Sequence, residues 1–183
     1  MWPLVVYVGL VLALFVRFHE AARTRRAAPM VASAADVRLV RHQHRVFYAL
    51  LLAAPLEWWW RGRPSGWSQV AGAALFLAGV LGYRAAGGAL GEQLSPLLAP
   101  REPARLIDRG LYGRLRHPMY LAELTMAVGA PWTLAASATA VLALAFAAVL
   151  VRRMALEERV LRARLPEYVA YAARTYRLIP YVY

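Results

Sequence analysis

The sequence contains no cysteine and no lysine. The absence of cysteine excludes disulfides, thiolate zinc sites and cysteine nucleophiles, and it leaves the redox compartment undetermined. Because lysine is also absent, all 22 basic residues are arginines, and the formal net charge is +12. Such a charge can indicate nucleic-acid binding, but here the arginines stand between apolar blocks and not on one face of a soluble fold. We therefore expect no nucleic-acid partner.

Long parts of the chain carry almost no charge. Hydrophobic residues make up 61% of the 183 residues. They occur in blocks at 2–16, 46–60 and 67–90 that are long enough to approach or reach a bilayer span. Basic residues follow the first block, which is the reverse of a secretory signal peptide, so this block is predicted to be a retained anchor.

The fourth apolar stretch, 119–151, contains one ionisable residue, Glu123. A straight helix of that length would be about 50 Å long against a hydrocarbon core of about 30 Å, so the chain must fold back. Gly129 and Pro131 predict the position of the break. The result is one all-α integral membrane domain over 1–183, with three spans in 1–90 and a hairpin over 118–151.

The placement of the arginines predicts the orientation of the five spans. Segments 17–45, 84–116 and 152–177 hold seven, six and seven arginines, and with five spans all three lie on one side. By the positive-inside tendency, the N-terminus lies outside the cell membrane and the C-terminus in the cytoplasm. Residues 152–176 are predicted to form cytoplasmic helices, the second of them starting near Pro166.

Two polar clusters face the same compartment in this arrangement. The stretch GRLRHPMYLAE places Arg116, His117 and Tyr120 at the start of the fourth span, and Glu157 and Glu158 follow the fifth. Since the two spans form a hairpin, these residues are expected to meet at one pocket. Consecutive helical residues point about 100° apart, so only one of the glutamates is expected to face it. The alternatives are lipid-headgroup contacts for the arginine and exposed helix ion pairs for the glutamates.

The sequence also predicts or excludes chemical roles for Pro118, Glu123 and His117. Pro118 at a first helical position leaves adjoining backbone amides free to meet a ligand anion. Glu123 lies about one turn inside the apolar stretch, where an ionisable group marks a functional site by default. Its structural alternative is a buried pair with Arg84 or a hydrogen bond to a neighbouring helix. His117 has no second histidine nearby, so we expect no metal site.

The stretch LIDRGLYGRLRHPMYLAE, followed after the hairpin by EERVLRARLPEYVAYAARTYRLIP, resembles the isoprenylcysteine carboxyl methyltransferase family and its bacterial relatives. That family has a GPYxxxRHPxY pattern, a helical hairpin, and then EExxL with a tyrosine-rich helix that ends near an arginine and IP. The likeness covers 91–180 and includes the preceding GEQLSP segment, whereas 1–90 matches only in being membrane-spanning. Leu111 differs from the proline usual at its position.

The resemblance implies that S-adenosylmethionine binds at the cytoplasmic mouth of the hairpin. It also implies that Arg116 and one of the two glutamates, Glu157 or Glu158, are catalytic. The cofactor-binding residues implied are His117, Pro118, Tyr120, Leu121, Tyr112, Glu157 and Glu158, and Glu123, Arg84 and Tyr171 are the candidates for substrate contact.

The predicted function is methyl transfer from S-adenosylmethionine to a lipophilic acceptor, foremost the carboxylate of an isoprenylated cysteine-like or other lipid-like molecule. A carboxylate is ionised near neutral pH and needs no general base, whereas an amine or phenol would need one. Alternatives are a phospholipid or other lipid N- or O-methyltransferase, an NADPH-dependent sterol-type reductase, and a non-catalytic scaffold that holds membrane lipids. The sequence does not set the oligomeric state.

Overall fold

A computed structural model of the protein describes residues 1–24, 34–95, 97–98, 100 and 102–181, with the side chains of 16–24 left out. The side chains of the predicted basic segment after the first block, 17–26, and Pro96 of the GEQLSP segment therefore lie outside this description. The described helices are α1 (Trp2–Thr24), α2 (Ala34–Trp60), α3 (Ser68–Leu90), α4 (Pro118–Thr133), α5 (Ala140–Arg164) and α6 (Tyr168–Ala173). The all-α class is confirmed.

Two helices are longer than the apolar blocks predict. Helix α2 begins at Ala34, well before the block at 46–60, and continues through Pro55. Helix α5 runs without interruption from Ala140 to Arg164, so the last predicted span and the polar helix after it are one element. Arginine, leucine, glutamate and alanine all have high helix propensity, so a loss of hydrophobicity does not end these helices.

The predicted chain break at Gly129 and Pro131 is wrong, because α4 includes both residues and the chain reverses at 134–139. Pro131 lies in the last turn, where it disrupts little of the helix. Gly129 instead permits a close contact between helices: a Cβ atom there would lie 2.4 Å from the backbone nitrogen of Phe76 on α3. A Cβ atom at Gly72 or Gly79 on α3 would likewise lie very close to backbone atoms of α4. Small residues of this kind let two helix backbones approach closely.

A carboxylate from α2 fixes the connection between α4 and α5. Glu57 accepts hydrogen bonds from the backbone amides of Ala138 and Thr139 at 2.9 and 2.7 Å, and from the Thr139 hydroxyl at 2.7 Å. Arg61, one turn further along α2, donates to the Ala135 carbonyl oxygen at 3.1 Å. The end of α2 and the α4–α5 connection therefore lie at the same end of the bundle, and the start of α4 and the end of α5 lie at the other.

Within the described residues, one helical stretch, Ser68–Gln93, is long and apolar enough to cross a bilayer, and 28% of its apolar window is buried inside the molecule. The apolar part of α1, Trp2–Phe15, is shorter. The count of five spans stays a prediction. The core between the helices includes the buried side chains of Phe47, Phe76 and Phe146.

Candidate functional site

The residues before α4 are held by the C-terminal segment of the chain. The backbone amides of Arg116 and His117 donate to the carbonyl oxygens of Tyr176 and Arg177 at 2.8 and 3.1 Å. In return the Tyr176 amide donates to the Arg114 carbonyl oxygen at 2.9 Å. This short pairing brings the Arg177 side chain to the end of α5.

Glu158 lies at the centre of the resulting cluster, with 2% of its surface exposed. Its Oε1 atom is 3.2 Å from His117 Nε2. Arg177 donates twice to the same carboxylate, from Nε to Oε1 at 3.0 Å and from Nη2 to Oε2 at 2.8 Å. The structure therefore brings together His117, just before α4, and Glu158, near the end of α5.

Two more arginines surround this carboxylate. Arg116 Nε is 3.5 Å from Glu158 Oε1, and Arg162 Nη2 is 3.7 Å from Oε2. Burial raises the pKa of Glu158, but the hydrogen bonds from His117 and Arg177 and the charge of Arg116 outweigh it and lower the pKa to about 2. Glu158 is therefore ionised at neutral pH, and it faces three guanidinium groups.

Glu157 points to a different surface from its neighbour. The Tyr120 hydroxyl donates to Glu157 Oε2, and the His117 ring stacks on Tyr120 with 5.3 Å between the ring centroids. Glu157 lines a large cavity, whereas Glu158 lies behind its wall. This separation agrees with the angle of about 100° between consecutive helical residues.

The cavity encloses about 870 Å³ of empty space that is partly open to solvent. One wall is polar and includes Arg116, His117 and Glu157. Another wall comes from the segment between α3 and α4, and it is mostly apolar, with Leu94 and Leu106 among its residues. The cavity therefore offers one polar and one apolar face to a ligand.

Two buried polar atoms at this site have no hydrogen-bond partner within the described part of the chain, namely Arg116 Nε and the Tyr168 hydroxyl. Tyr168 is 2% exposed, yet it lines the cavity. Burial raises the pKa of Tyr168 above its usual range, so its hydroxyl stays protonated and able to donate. The neighbouring Tyr171 hydroxyl, in contrast, donates to the Tyr112 carbonyl oxygen at 2.8 Å. Buried polar groups without a partner are rare and call for an explanation, such as a ligand.

The structure divides the residues predicted from the sequence into those that do not line the cavity and those that do. Pro118 begins α4, Leu121 packs against the hydrophobic core, and Glu158 supports the polar wall from behind. The predicted residues that line the cavity are Tyr112, Arg116, His117, Tyr120, Glu157 and Tyr171.

Glu123 and Arg84 do not line this cavity. Arg84 is exposed, so the alternative of a buried pair between them is wrong. Glu123 instead accepts a hydrogen bond of 2.7 Å from Gln43 Nε2. The other alternative, a hydrogen bond to a neighbouring helix, is the one that the structure shows.

Sequence reasoning missed two residues of the site. Arg177 belongs to the closing arginine and IP of the C-terminal pattern, so that pattern was the available signal. Tyr168 follows Pro166 as one of several aromatic residues in a short helix, and nothing in the sequence distinguishes it from the others. The apolar wall over 94–107 has no helical periodicity and gave no signal of its own.

Comparison with known proteins agrees with this geometry. The model of the isoprenylcysteine carboxyl methyltransferase (ICMT) family matches residues 73–163, which include both the RHPxY and the EE motifs. The cobalt-zinc-cadmium resistance protein CzcN of Cupriavidus metallidurans is 36% identical over 84 residues, which are 45% of this chain and 39% of that protein. The similarity thus spans well under half of that relative's length. Over residues 73–163, which carry both motifs of the site, the chain belongs to the isoprenylcysteine carboxyl methyltransferase family.

Proposed function

We propose that the protein is an integral membrane S-adenosylmethionine-dependent methyltransferase. It acts on a lipophilic acceptor, foremost the carboxylate of an isoprenylated cysteine-like or other lipid-like molecule. One observation carries the proposal: Arg116, His117 and Tyr120 from the first motif and Glu157 from the second lie on one wall of one cavity. The match to the family, whose activity is methyl transfer, supports it.

The residues of the cavity fit S-adenosylmethionine chemically. The Tyr168 hydroxyl, which has no hydrogen-bond partner among the described residues, is a donor suited to the carboxylate or ribose oxygens, and Glu157 offers acceptor oxygens for an amino group. The apolar wall around Leu94 suits the adenine ring. When bound, the cofactor supplies an electrophilic methyl group on a sulfonium.

The chain's own residues would align the acceptor and exclude water. Arg116 can hold an acceptor carboxylate by paired hydrogen bonds, which lysine cannot copy. Glu158 keeps this arginine close to the wall through its contact of 3.5 Å. Because an in-line displacement depends on the alignment of its reactants, a positioning error of about 1 Å can cost a large factor in rate. An ionised carboxylate requires no proton removal by the enzyme.

Exposed apolar side chains support a membrane location. Val5, Leu52, Leu56 and Leu144 are each more than half exposed, as expected of lipid-facing positions. Trp59, Trp60 and Trp67 are 62%, 86% and 91% exposed beside the α2–α3 connection, and tryptophans favour the bilayer interface. The cavity is at the opposite end of the bundle. We infer that this end lies on the cytoplasmic side of the cell (inner) membrane, as the arginine distribution indicates.

Two measurements test the proposal. Calorimetric titration of the purified protein should show binding of S-adenosylmethionine and none of NADPH, whereas binding of the dinucleotide alone would contradict it. Incubation with lipid extracts and an isotopically labelled methyl donor, followed by mass spectrometry, should then identify a labelled lipophilic product. Arg116→Ala should abolish that product. Arg159→Ala, which removes an exposed arginine of α5, should not, and equal loss in both variants would speak against a specific role for Arg116.

A further inference from the structure

The side chain of Arg177 occupies both oxygens of Glu158, through Nε to Oε1 and Nη2 to Oε2. This is a paired contact of the kind that arginine makes with a carboxylate and lysine cannot copy. The backbone fixes the position of Arg177, because its carbonyl oxygen accepts the His117 amide at 3.1 Å and the next residue, Leu178, is buried in the core of the bundle. The contact is therefore held from both sides, by the C-terminal segment and by α5.

Arg116 approaches the same carboxylate but makes no paired contact with it. Its Nε atom is 3.5 Å from Glu158 Oε1 and has no hydrogen-bond partner among the described residues. Its Nη1 atom donates instead to the Ala172 carbonyl oxygen on α6 at 3.2 Å. Arg116 also lines the cavity. Its guanidinium is therefore held between α5 and α6 by weaker contacts, beside the space that a ligand would occupy.

The two arginines compete for one carboxylate. While Arg177 holds both oxygens of Glu158, Arg116 cannot form the same paired contact. Glu158 is buried, and a buried charge that loses its partner is strongly destabilising, so without Arg177 it must take a replacement. The side chain of Arg162 is more than half exposed and 3.7 Å away, so solvent weakens its attraction. Arg116, with 14% of its side chain exposed, is the stronger competitor.

We propose that Arg177 is a positioning residue that keeps Arg116 available to the acceptor carboxylate. Because Arg177 occupies both oxygens of Glu158, Glu158 does not draw Arg116 into an ion pair of its own. The ligand named here rests on the proposed function. The competition between the two arginines is a property of the chain itself and is measurable without a ligand.

A double-mutant cycle in the free energy of unfolding tests the competition with the full chain in detergent. The four proteins are the wild type, Arg116→Ala, Arg177→Gln and the double variant. If Arg116 replaces Arg177 at Glu158, the double variant should lose more stability than the sum of the two single losses. Additive losses would overturn the proposal. An excess found with Arg162→Ala in place of Arg116→Ala, and absent with Arg116→Ala, would also overturn it, because Arg162 would then be the replacement partner.

Direct repulsion between the two guanidinium groups would give an excess of the same sign, so the cycle is repeated in Glu158→Gln. Repulsion persists in that background, but no carboxylate remains to compete for. The excess should vanish, and an excess that stays would overturn the proposal. If Arg177→Gln does not fold, Arg177→Lys takes its place and should give an excess of the same sign, because an ammonium group is a point charge without the paired geometry.

Kinetics with N-acetyl-S-farnesylcysteine as acceptor show whether the competition reaches the site. Arg177→Gln should raise the KM for this acceptor by at least about tenfold, the effect of a lost hydrogen bond to a charged group, and leave the KM for S-adenosylmethionine nearly unchanged. Adding Glu158→Gln to Arg177→Gln should recover part of the loss, because nothing then captures Arg116. Arg159→Ala is the control for loss of an exposed arginine. Equal rises in both KM values, or no recovery, would overturn the proposal.

The two kinds of measurement separate the two proposals. A wild-type protein that transfers no methyl group to a carboxylate would contradict the proposed function alone. The unfolding cycles would then still decide whether Arg177 keeps Glu158 from pairing with Arg116.

Discussion

Replacement of Glu158 by glutamine should destabilise the protein and change how its stability depends on pH. The carboxylate is 2% exposed, and it contacts His117, Arg116, Arg162 and Arg177. Its pKa is lowered from 4.5 to about 2. A difference of this size corresponds to about 3 kcal/mol of stability at neutral pH, since each pKa unit is worth about 1.4 kcal/mol.

The direction of the pH effect follows from the sign of the shift. The pKa in the folded state lies below its unfolded value, so the stabilisation is fully present above about pH 4.5 and is lost as the pH falls towards about 2. The wild-type protein should therefore lose stability steeply across this window. Glu158→Gln lacks the titrating group, so its stability should be lower at pH 7 and depend less on pH below 4.5.

Thermal unfolding of the purified protein in detergent measures both effects. For a chain of this length, about 3 kcal/mol corresponds to a decrease in Tm of about 6–12 °C at pH 7. Glu92→Gln is the control for loss of one carboxylate at an exposed position, and Arg162→Ala should cost less than about 1 kcal/mol because its side chain is 53% exposed. For a chain of this length, a change of about 2 °C in Tm is roughly the effect of 1 kcal/mol. A Tm within about 2 °C of wild type at pH 7, or an unchanged pH profile, would therefore refute the reasoning.

Three further predictions concern single positions. Tyr168→Phe should leave Tm unchanged and weaken S-adenosylmethionine binding by roughly fivefold to tenfold in calorimetry, since the hydroxyl has no partner within the described chain; a lower Tm would indicate a structural role. Glu157→Gln should reduce cofactor affinity by at least about tenfold while the protein stays folded, as checked by circular dichroism, because a charge-assisted hydrogen bond contributes about 1.5–3 kcal/mol. Gly129→Ala should lower Tm because the new Cβ atom meets the backbone of Phe76, whereas Gly9→Ala, where nothing lies within 4 Å, should not; equal Tm values would contradict the close helix contact.

The helices and their order could be predicted largely from the apolar blocks. The third block, 67–90, almost coincides with α3. The hairpin was also predictable, since a stretch as long as 119–151 cannot cross a bilayer in one pass. The position of the reversal was not, because glycine and proline are as compatible with a close helix contact as with a turn. Gly129 serves the contact with Phe76, and only the neighbouring helix shows this.

The polar wall of the cavity could also be predicted from the hairpin. Two motifs that flank a hairpin in the sequence must lie near each other in space, and His117 and Glu158 do. The role of Gln43 was not predictable, since it reaches its partner through a contact between segments distant in sequence. Gln43 and Glu123 are 80 residues apart, and no periodic pattern links them. The Glu57 carboxylate likewise meets the α4–α5 connection only in the folded bundle.

The pairing of the C-terminal segment with the residues before α4 has a consequence for biosynthesis. Arg177 is synthesised after all five long helices, so the cluster around Glu158 cannot be complete before the C-terminal segment is made. The nascent chain can fold its apolar bundle early, but the cluster around Glu158 is completed last. A chain shortened to end before Arg177 would therefore keep the residues of all five long helices and lack the guanidinium that donates to both oxygens of Glu158.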